Sequence, residues 1–139
     1  MIVLDTNVVS EFMRPAPSIA VASWLDAQIA DHIWICAITV YEIEFGLELI
    51  DDSARRLRLR RAFQSMVEQD LDGRVLPFDA DAAARTASIS ALTRKQGRPI
   101  EQRDAMIAGI VRQRNARLAT RNLRHFNDCG IDLIDPWSA

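Results

Sequence analysis

The sequence predicts an α/β fold in which helices cover both faces of a short, mainly parallel central sheet. Short apolar runs rich in β-branched residues recur along the chain, and segments with helical periodicity lie between them. Strands that alternate with helices form parallel sheets whose faces are both buried. The length of 139 residues suits one domain. We therefore expect a three-layer α/β/α sandwich formed by a single domain over residues 1–139.

Five segments have the composition of strands. The run from Ile2 to Leu4 is wholly apolar, as in a strand that is buried on both faces. The other strands are expected over residues 33–37, 74–78, 118–119 and 131–134.

The segments between the strands predict helices with recognisable caps and breaks. Ser18 is expected to cap a helix that extends to residue 30 and buries one face, formed by Ile19, Ala22, Leu25 and Ile29. Thr39 is expected to open a helix that ends near residue 50, and Asp79 to cap one that ends near residue 96. The remaining helices are expected over residues 8–13, 53–70, 101–114 and 123–127.

Composition and charge exclude several classes of protein. Apolar residues make up 49% of the chain, which argues against disorder. No apolar run approaches a membrane span and no signal-peptide pattern is present, so we expect a cytoplasmic protein. Cys36 and Cys129 lack the spacing of a zinc site and are expected to be reduced thiols without a role. A net charge of −2 argues against a chain that is basic throughout.

The basic residues are nevertheless unevenly distributed. All except Lys95 are arginines, and five of them lie between positions 55 and 61. Arginine pairs well with phosphate oxygens, so this segment is a candidate phosphate-contacting rim, with Arg55 and Arg58 as its main candidates. A solvated helix face explains the segment equally well.

Three acids fall on the apolar side of their predicted elements. Asp5 ends the first strand, at the edge of an open α/β sheet where ligands bind. Glu42 shares a helix face with Phe45, Gly46 and Leu49. Asp104 precedes Ile107 by one helical turn, which places it on the apolar side of its helix.

Two of these acids have purely structural alternatives. The sequence Thr39-x-x-Glu42 matches a capping box, in which Glu42 would accept a hydrogen bond from the Thr39 backbone. Asp104 in a first helical turn would also interact favourably with the helix dipole, although Glu101 already supplies an exposed acid there.

If Asp5, Glu42 and Asp104 converge, either their pKa values rise or a cation lies between them. Two carboxylates about 5 Å apart at an effective dielectric of about 20 repel each other by about 3 kcal/mol. Carboxylates without histidine or cysteine are hard oxygen ligands, which favour Mg²⁺ or Mn²⁺ over zinc. Such a site can activate water against a phosphodiester.

The sequence resembles the PIN-domain proteins, specifically the VapC and FitB-like toxins of prokaryotic toxin–antitoxin modules. The resemblance runs over nearly the whole chain and is carried by Ile2-Val3-Leu4-Asp5-Thr6-Asn7, Ile38-Thr39-Val40-Tyr41-Glu42 with Gly46, Arg103-Asp104-Ala105-Met106-Ile107-Ala108, Leu118-Ala119-Thr120-Arg121-Asn122 with His125-Phe126, and Asp135-Pro136-Trp137. It implies a metal-dependent endoribonuclease that uses Mg²⁺ or Mn²⁺, with Asp5, Glu42 and Asp104 as the acidic ligands.

The resemblance also implies supporting residues and partners. Thr6 and Thr120 fall where hydroxyls support the site, and Arg121 is a further candidate for contact with RNA. A homodimer is implied, together with a small cognate antitoxin through which the assembly would contact DNA. Many relatives carry a fourth acid where this chain has Asn122, so a single metal is expected here. Asn122 would alternatively only cap the helix that follows.

Three other functions fit the sequence less well than this one. Haloacid-dehalogenase-like phosphatases need a second aspartate two residues after the first, where this chain has Asn7, which we expect only to cap the next helix. Receiver domains need a lysine at a late strand end, whereas Lys95 falls in a helix. An interaction module that has lost catalysis remains as the alternative, because Asn122 replaces an acid.

Overall fold

The computed structural model describes residues 1–139 and contains five strands and seven helices. The strands are β1 (Ile2–Leu4), β2 (Ile33–Cys36), β3 (Val75–Leu76), β4 (Arg117–Ala119) and β5 (Asp132–Ile134). The helices are α1 (Thr6–Phe12), α2 (Ile19–Asp26), α3 (Ala37–Glu48), α4 (Ser53–Ser65), α5 (Ala80–Lys95), α6 (Gln102–Gln113) and α7 (Leu123–Phe126).

The sheet is parallel at all four strand pairs and has the order β3-β2-β1-β4-β5. Strand β1 lies in the middle, with Ile2 opposite both Ile33 of β2 and Arg117 of β4. Because every strand runs in the same direction, the carboxyl ends of all five meet at one edge. The α/β fold with a parallel central sheet is confirmed, and Asp5 follows its central strand.

The core consists of two apolar clusters, one on each face of the sheet. Val3 packs in the cluster that includes Ile107 and Ile110 of α6. Ile2 and Leu4 pack in the other cluster, which draws on α1 to α4. Successive residues of a strand point to opposite faces of the sheet. Val3 therefore packs against the helices on one face, and Ile2 and Leu4 pack against those on the other, which gives three layers.

Helix α2 differs from its prediction. It ends at Asp26, and its one buried residue is Val21, whereas the predicted face includes Ile19, which is 84% exposed. The Ser18 side chain makes no capping hydrogen bond. The apolar spacing placed Ile19 on the buried face, whereas α2 contacts the core through Val21, Trp24 and Leu25.

Helix α3 begins at Ala37, two residues before the predicted start, because β2 passes directly into it. Its fully buried residues are therefore Thr39, Ile43 and Leu47. The predicted buried face of α3 is wrong, since Phe45, Gly46 and Leu49 are exposed.

The predicted long helix over residues 53–70 is divided. Helix α4 ends at Ser65, and a π-helical turn, Met66–Asp70, completes the segment. No helix of the protein has the length and apolar character required to cross a bilayer.

Candidate active site

Asp5 lies directly after β1 and is held by three hydrogen bonds. Its Oδ1 accepts from the Thr6 backbone N–H at 2.8 Å, which makes it the N-cap of α1. Its Oδ2 accepts from Thr120 Oγ1 at 2.7 Å and from Asn7 Nδ2 at 3.2 Å. Only 4% of the residue is exposed, and this burial raises its pKa, while the Thr120 hydrogen bond opposes the shift. The carboxylate is thus fixed in orientation before any ligand binds.

Glu42 approaches the same region from α3. Thr6 Oγ1 donates a 2.8 Å hydrogen bond to Glu42 Oε1, and Arg103 Nη1 lies 3.8 Å from Glu42 Oε2. The capping-box alternative is wrong, because α3 begins at Ala37 and its N-cap is Cys36, which leaves Thr39 within the first turn. Glu42 instead joins α3 to the first residue of α1.

Asp104 enters from the first turn of α6, and its side chain is 20% exposed. Its Oδ2 lies 3.1 Å from His125 Nδ1. Glu101 is the N-cap, accepting from the backbone N–H groups of Arg103 and Asp104, so capping does not require the Asp104 side chain. Burial first, and then the charge of Asp5, raise the pKa of Asp104 to about 6, while His125 opposes the shift.

These three acids line one polar cleft of about 510 Å³ that has no apolar side chain in its wall. The other lining residues are Thr6, Asn7, Ser10, Glu11, Arg14 and Asn122. The charges of both Asp5 and Glu42 raise the pKa of Asp104, so the three carboxylates interact across this cleft. The structure therefore brings together the three acids selected from the sequence, and their catalytic role stays a prediction.

The donor chemistry of the cleft fits a hard divalent cation that keeps part of its water shell. No three His, Cys, Asp or Glu side chains form a group that would hold a metal as they stand. Mg²⁺ is commonly bound by one or two carboxylates together with several waters and does not require a complete protein cage. A cation of this kind stabilises the charged forms of carboxylates that repel one another, as Asp5 and Asp104 do.

Two of the supporting residues predicted from the sequence, Thr6 and Asn122, line this cleft, and the third, Thr120, is buried against Asp5. Thr6 donates to Glu42, and Thr120 donates to Asp5 while it accepts from the Asn122 backbone N–H at 3.0 Å. Asn122 occupies the N-cap position of α7, but its side chain makes no capping hydrogen bond and lines the cleft. The alternative in which Asn122 only caps α7 is therefore wrong, and its amide faces the cleft.

The arginines predicted to contact RNA lie in two places. Arg55 and Arg58 line a groove of about 710 Å³ between α1, α3 and α4, which shares Thr6 and Glu42 with the cleft. Arg121 does not line the cleft. Its guanidinium lies 4.9 Å from the centre of the Trp137 ring.

Sequence reasoning missed three residues of the site. Asn7 does not cap α1, because Asp5 does, and its amide instead joins Asp5 to the Arg121 backbone N–H. Glu11 is buried and lines the cleft, and its position one helical turn after Asn7 was a usable signal. No local pattern could have paired His125 with Asp104, since 21 residues separate them.

Comparison with known proteins identifies the family. The PIN domain model matches residues 2–130. The chain is 39% identical over 137 residues to the VapC ribonuclease Y4jK of Sinorhizobium fredii, covering 99% of this chain and 98% of that one. It is 34% identical over 137 residues to the toxin FitB of Neisseria gonorrhoeae, covering 99% of each chain.

A solved structure agrees with the sequence relatives. FitAB bound to an IR36 DNA fragment superposes with a TM-score of 0.89 at 34% identity, covering 99% of this chain and 96% of that chain. The resemblance inferred from the sequence motifs is confirmed. This chain belongs to the PIN-domain family, among the relatives of the VapC and FitB toxins.

Proposed function

We propose that this protein is a divalent-metal-dependent endoribonuclease and the toxin of a type II toxin–antitoxin module. The observation that carries the proposal is the convergence of Asp5, Glu42 and Asp104, from three different elements, on one polar cleft. The names of its relatives, a VapC ribonuclease and a FitB toxin, support the same activity.

The residues of the cleft have distinct proposed roles. Asp5 and Asp104 hold Mg²⁺ or Mn²⁺, and Glu42 either holds it too or orients the attacking water. When bound, the metal supplies a water of lowered pKa and neutralises charge on the phosphate. Thr120 and Thr6 keep the Asp5 and Glu42 carboxylates in their orientations through hydrogen bonds of 2.7 and 2.8 Å. The amide of Asn122 brings no charge, which favours a single metal.

The proposed partners follow from the assemblies of the relatives. FitB forms a complex with FitA that binds DNA. We expect this chain to form a homodimer, to bind a small cognate antitoxin and to contact DNA only through it. Because its substrate would be RNA, we expect it to act in the cytoplasm.

The test is an RNA cleavage assay with the purified chain. Transfer RNA and ribosomal RNA are incubated with Mn²⁺, with and without EDTA, and with the variants Asp5→Asn and Asp104→Asn. We expect EDTA to abolish cleavage and each variant to lower its rate by at least about 100-fold, since each removes a charge used by the site. Asp81→Asn is the matched control, because Asp81 is an exposed acid that pairs with Arg85 on α5.

Cleavage that persists in EDTA, or in the Asp5→Asn and Asp104→Asn variants, would contradict the proposal. The alternative, an interaction module without catalysis, is favoured by Asn122 alone. That alternative predicts no cleavage and no gain in thermal stability with Mn²⁺, whereas an active site predicts a gain that Asp5→Asn removes.

A further inference from the structure

Glu11 and Arg14 form an ion pair at the mouth of the cleft that the proposed chemistry does not use. Arg14 Nη1 lies 3.3 Å from Glu11 Oε2, and the other oxygen, Oε1, accepts from the Ser18 backbone N–H at 2.8 Å. The two partners differ in exposure, with 9% of the Glu11 side chain and 66% of the Arg14 side chain accessible. A buried carboxylate therefore anchors an exposed guanidinium.

The Glu11 carboxylate that holds Arg14 is charged. The hydrogen bond from Ser18 lowers the pKa of Glu11 most, and the hydrogen bond and charge of Arg14 add to this effect. The same carboxylate closes the turn between α1 and α2, which contains Pro15 and Pro17. Arg14 thus projects from a turn whose backbone is restricted by two prolines and one buried acid.

The position of Arg14 sets it apart from the other arginines. It is the only basic residue that lines the carboxylate cleft, and it also lines the adjoining groove that contains Arg55 and Arg58. Arg55 and Arg58 form no ion pair or side-chain hydrogen bond, so nothing fixes their guanidinium groups. Among the arginines that line the cleft or the groove, Arg14 is the one held by an ion pair.

The guanidinium of Arg14 retains unused donors. Arginine has five N–H donors, and the one hydrogen bond made by this side chain uses Nη1. The acids of the cleft repel a polyanion, and a cation at its mouth offsets this repulsion at the point where an RNA backbone would enter. Planar N–H groups suit phosphate oxygens in particular.

Building on the proposed function, we propose that Arg14 binds a backbone phosphate of the RNA beside the cleft and that Glu11 is the positioning residue that orients it. The phosphate bound by Arg14 is one that flanks the bond to be cleaved, since the acids occupy the cleft itself. Arg14 then contributes to RNA binding and not to the chemical step.

The test uses the full-length chain and two readouts. Binding of a labelled oligouridylate is measured in EDTA as a function of salt, and kcat and KM are measured on transfer RNA with Mn²⁺. For Arg14→Ala we expect about tenfold weaker binding and a similar rise in KM with kcat little changed. The slope of log Kd against log salt should fall by about 0.7, the value for one lost phosphate contact on a single strand. Arg14→Lys should keep the slope.

Glu11→Gln separates positioning from a purely structural role. Glutamine still offers an acceptor to the Ser18 N–H but removes the charge that holds Arg14. We expect a smaller rise in KM than for Arg14→Ala, and no further rise when Glu11→Gln is added to Arg14→Ala, because the two residues act as one unit. Arg85→Ala, which breaks a similar exposed pair on α5, is the matched control and should change neither readout.

Two results would overturn the inference. The first is a normal salt slope and KM for Arg14→Ala in a protein that cleaves RNA. The second is that Glu11→Gln lowers kcat by the same factor in the wild type and in the Arg14→Ala variant. Glu11 would then have a structural role that does not depend on Arg14. Failure of the wild-type chain to cleave or to bind RNA would instead contradict the proposed function.

Discussion

Thr120 Oγ1 donates a 2.7 Å hydrogen bond to Asp5 Oδ2, joining two residues that are 115 positions apart. The bond links the ends of the adjacent strands β1 and β4, and Thr120 is fully buried. It is the shortest of the three hydrogen bonds to the Asp5 carboxylate. The orientation of Asp5 therefore depends on the far end of the chain.

Thr120→Val tests this dependence. Valine has the shape of threonine but removes the donor, which leaves a buried carboxylate oxygen with a weaker set of partners. We expect the free energy of unfolding to fall by about 1–3 kcal/mol, measured by urea denaturation in EDTA. Thr120→Ser retains the hydroxyl, so its free energy of unfolding should fall much less. Equal losses in the two variants would show that the methyl group and not the hydrogen bond stabilises this position.

The stability of the metal-free protein should depend on the ionisation of Asp104. Its pKa is raised from 3.8 to about 6, so between these values the folded state holds a proton that the unfolded chain has released. Stability contributed by this group is present below pH 3.8, declines as the pH rises and is fully lost above pH 6.

Asp104→Asn removes this titration. At neutral pH in EDTA we expect the variant to be more stable than the wild type by about 1 kcal/mol, after allowance for solvent screening of a partly exposed group. Urea denaturation across this pH range measures the difference. The prediction is contradicted if the wild type is more stable than Asp104→Asn at neutral pH, because the charge of Asp104 would then not destabilise the folded protein.

Asn122→Asp adds a fourth acid to the cleft. The added charge lines the same cleft as Asp5 and Asp104, but position 122 is exposed, so the metal-free variant should be less stable by about 0.5–1 kcal/mol. The rise in Tm caused by Mn²⁺ should become larger, since a fourth carboxylate strengthens cation binding. Gln64→Glu, at an exposed position of α4 outside the cleft, is the control and should show neither effect. If Mn²⁺ raises the Tm of Asn122→Asp no more than that of the wild type, position 122 does not take part in metal binding.

Gly109 allows α5 and α6 to pack closely, and α6 carries Asp104. A Cβ atom at this position would overlap Thr86 Oγ1 and lie 2.8 Å from the Ala82 carbonyl oxygen. We expect Gly109→Ala to lower the free energy of unfolding by about 1–3 kcal/mol or more. Gly46→Ala is the matched control, because nothing lies within 4 Å of its added Cβ and alanine favours a helix by about 0.5–1 kcal/mol. Similar stabilities for the two variants would contradict the close packing.

Local patterns were sufficient for the elements and their order. Composition and periodicity located all five strands and most helices, because a buried strand needs a continuous apolar run and a helix needs caps and breaks. They failed for the buried faces of α2 and α3. Burial of a helix face depends on what packs against it, and the identity of an apolar residue such as Ile19 does not show whether anything does.

The sequence by itself determined the α/β fold and the family, since both rest on residue types and spacings within short segments. It also selected the three acids, although the helix face used to select Glu42 is not the buried face of α3. Only the tertiary structure decided which groups meet in space. It placed Thr120 against Asp5, His125 against Asp104 and Glu11 beneath Arg14. The first two pairs join residues that are distant in the chain and meet at the carboxyl edge of the sheet because parallel strands bring their ends together there. The third pair is local, but the burial of Glu11 depends on the packing around it.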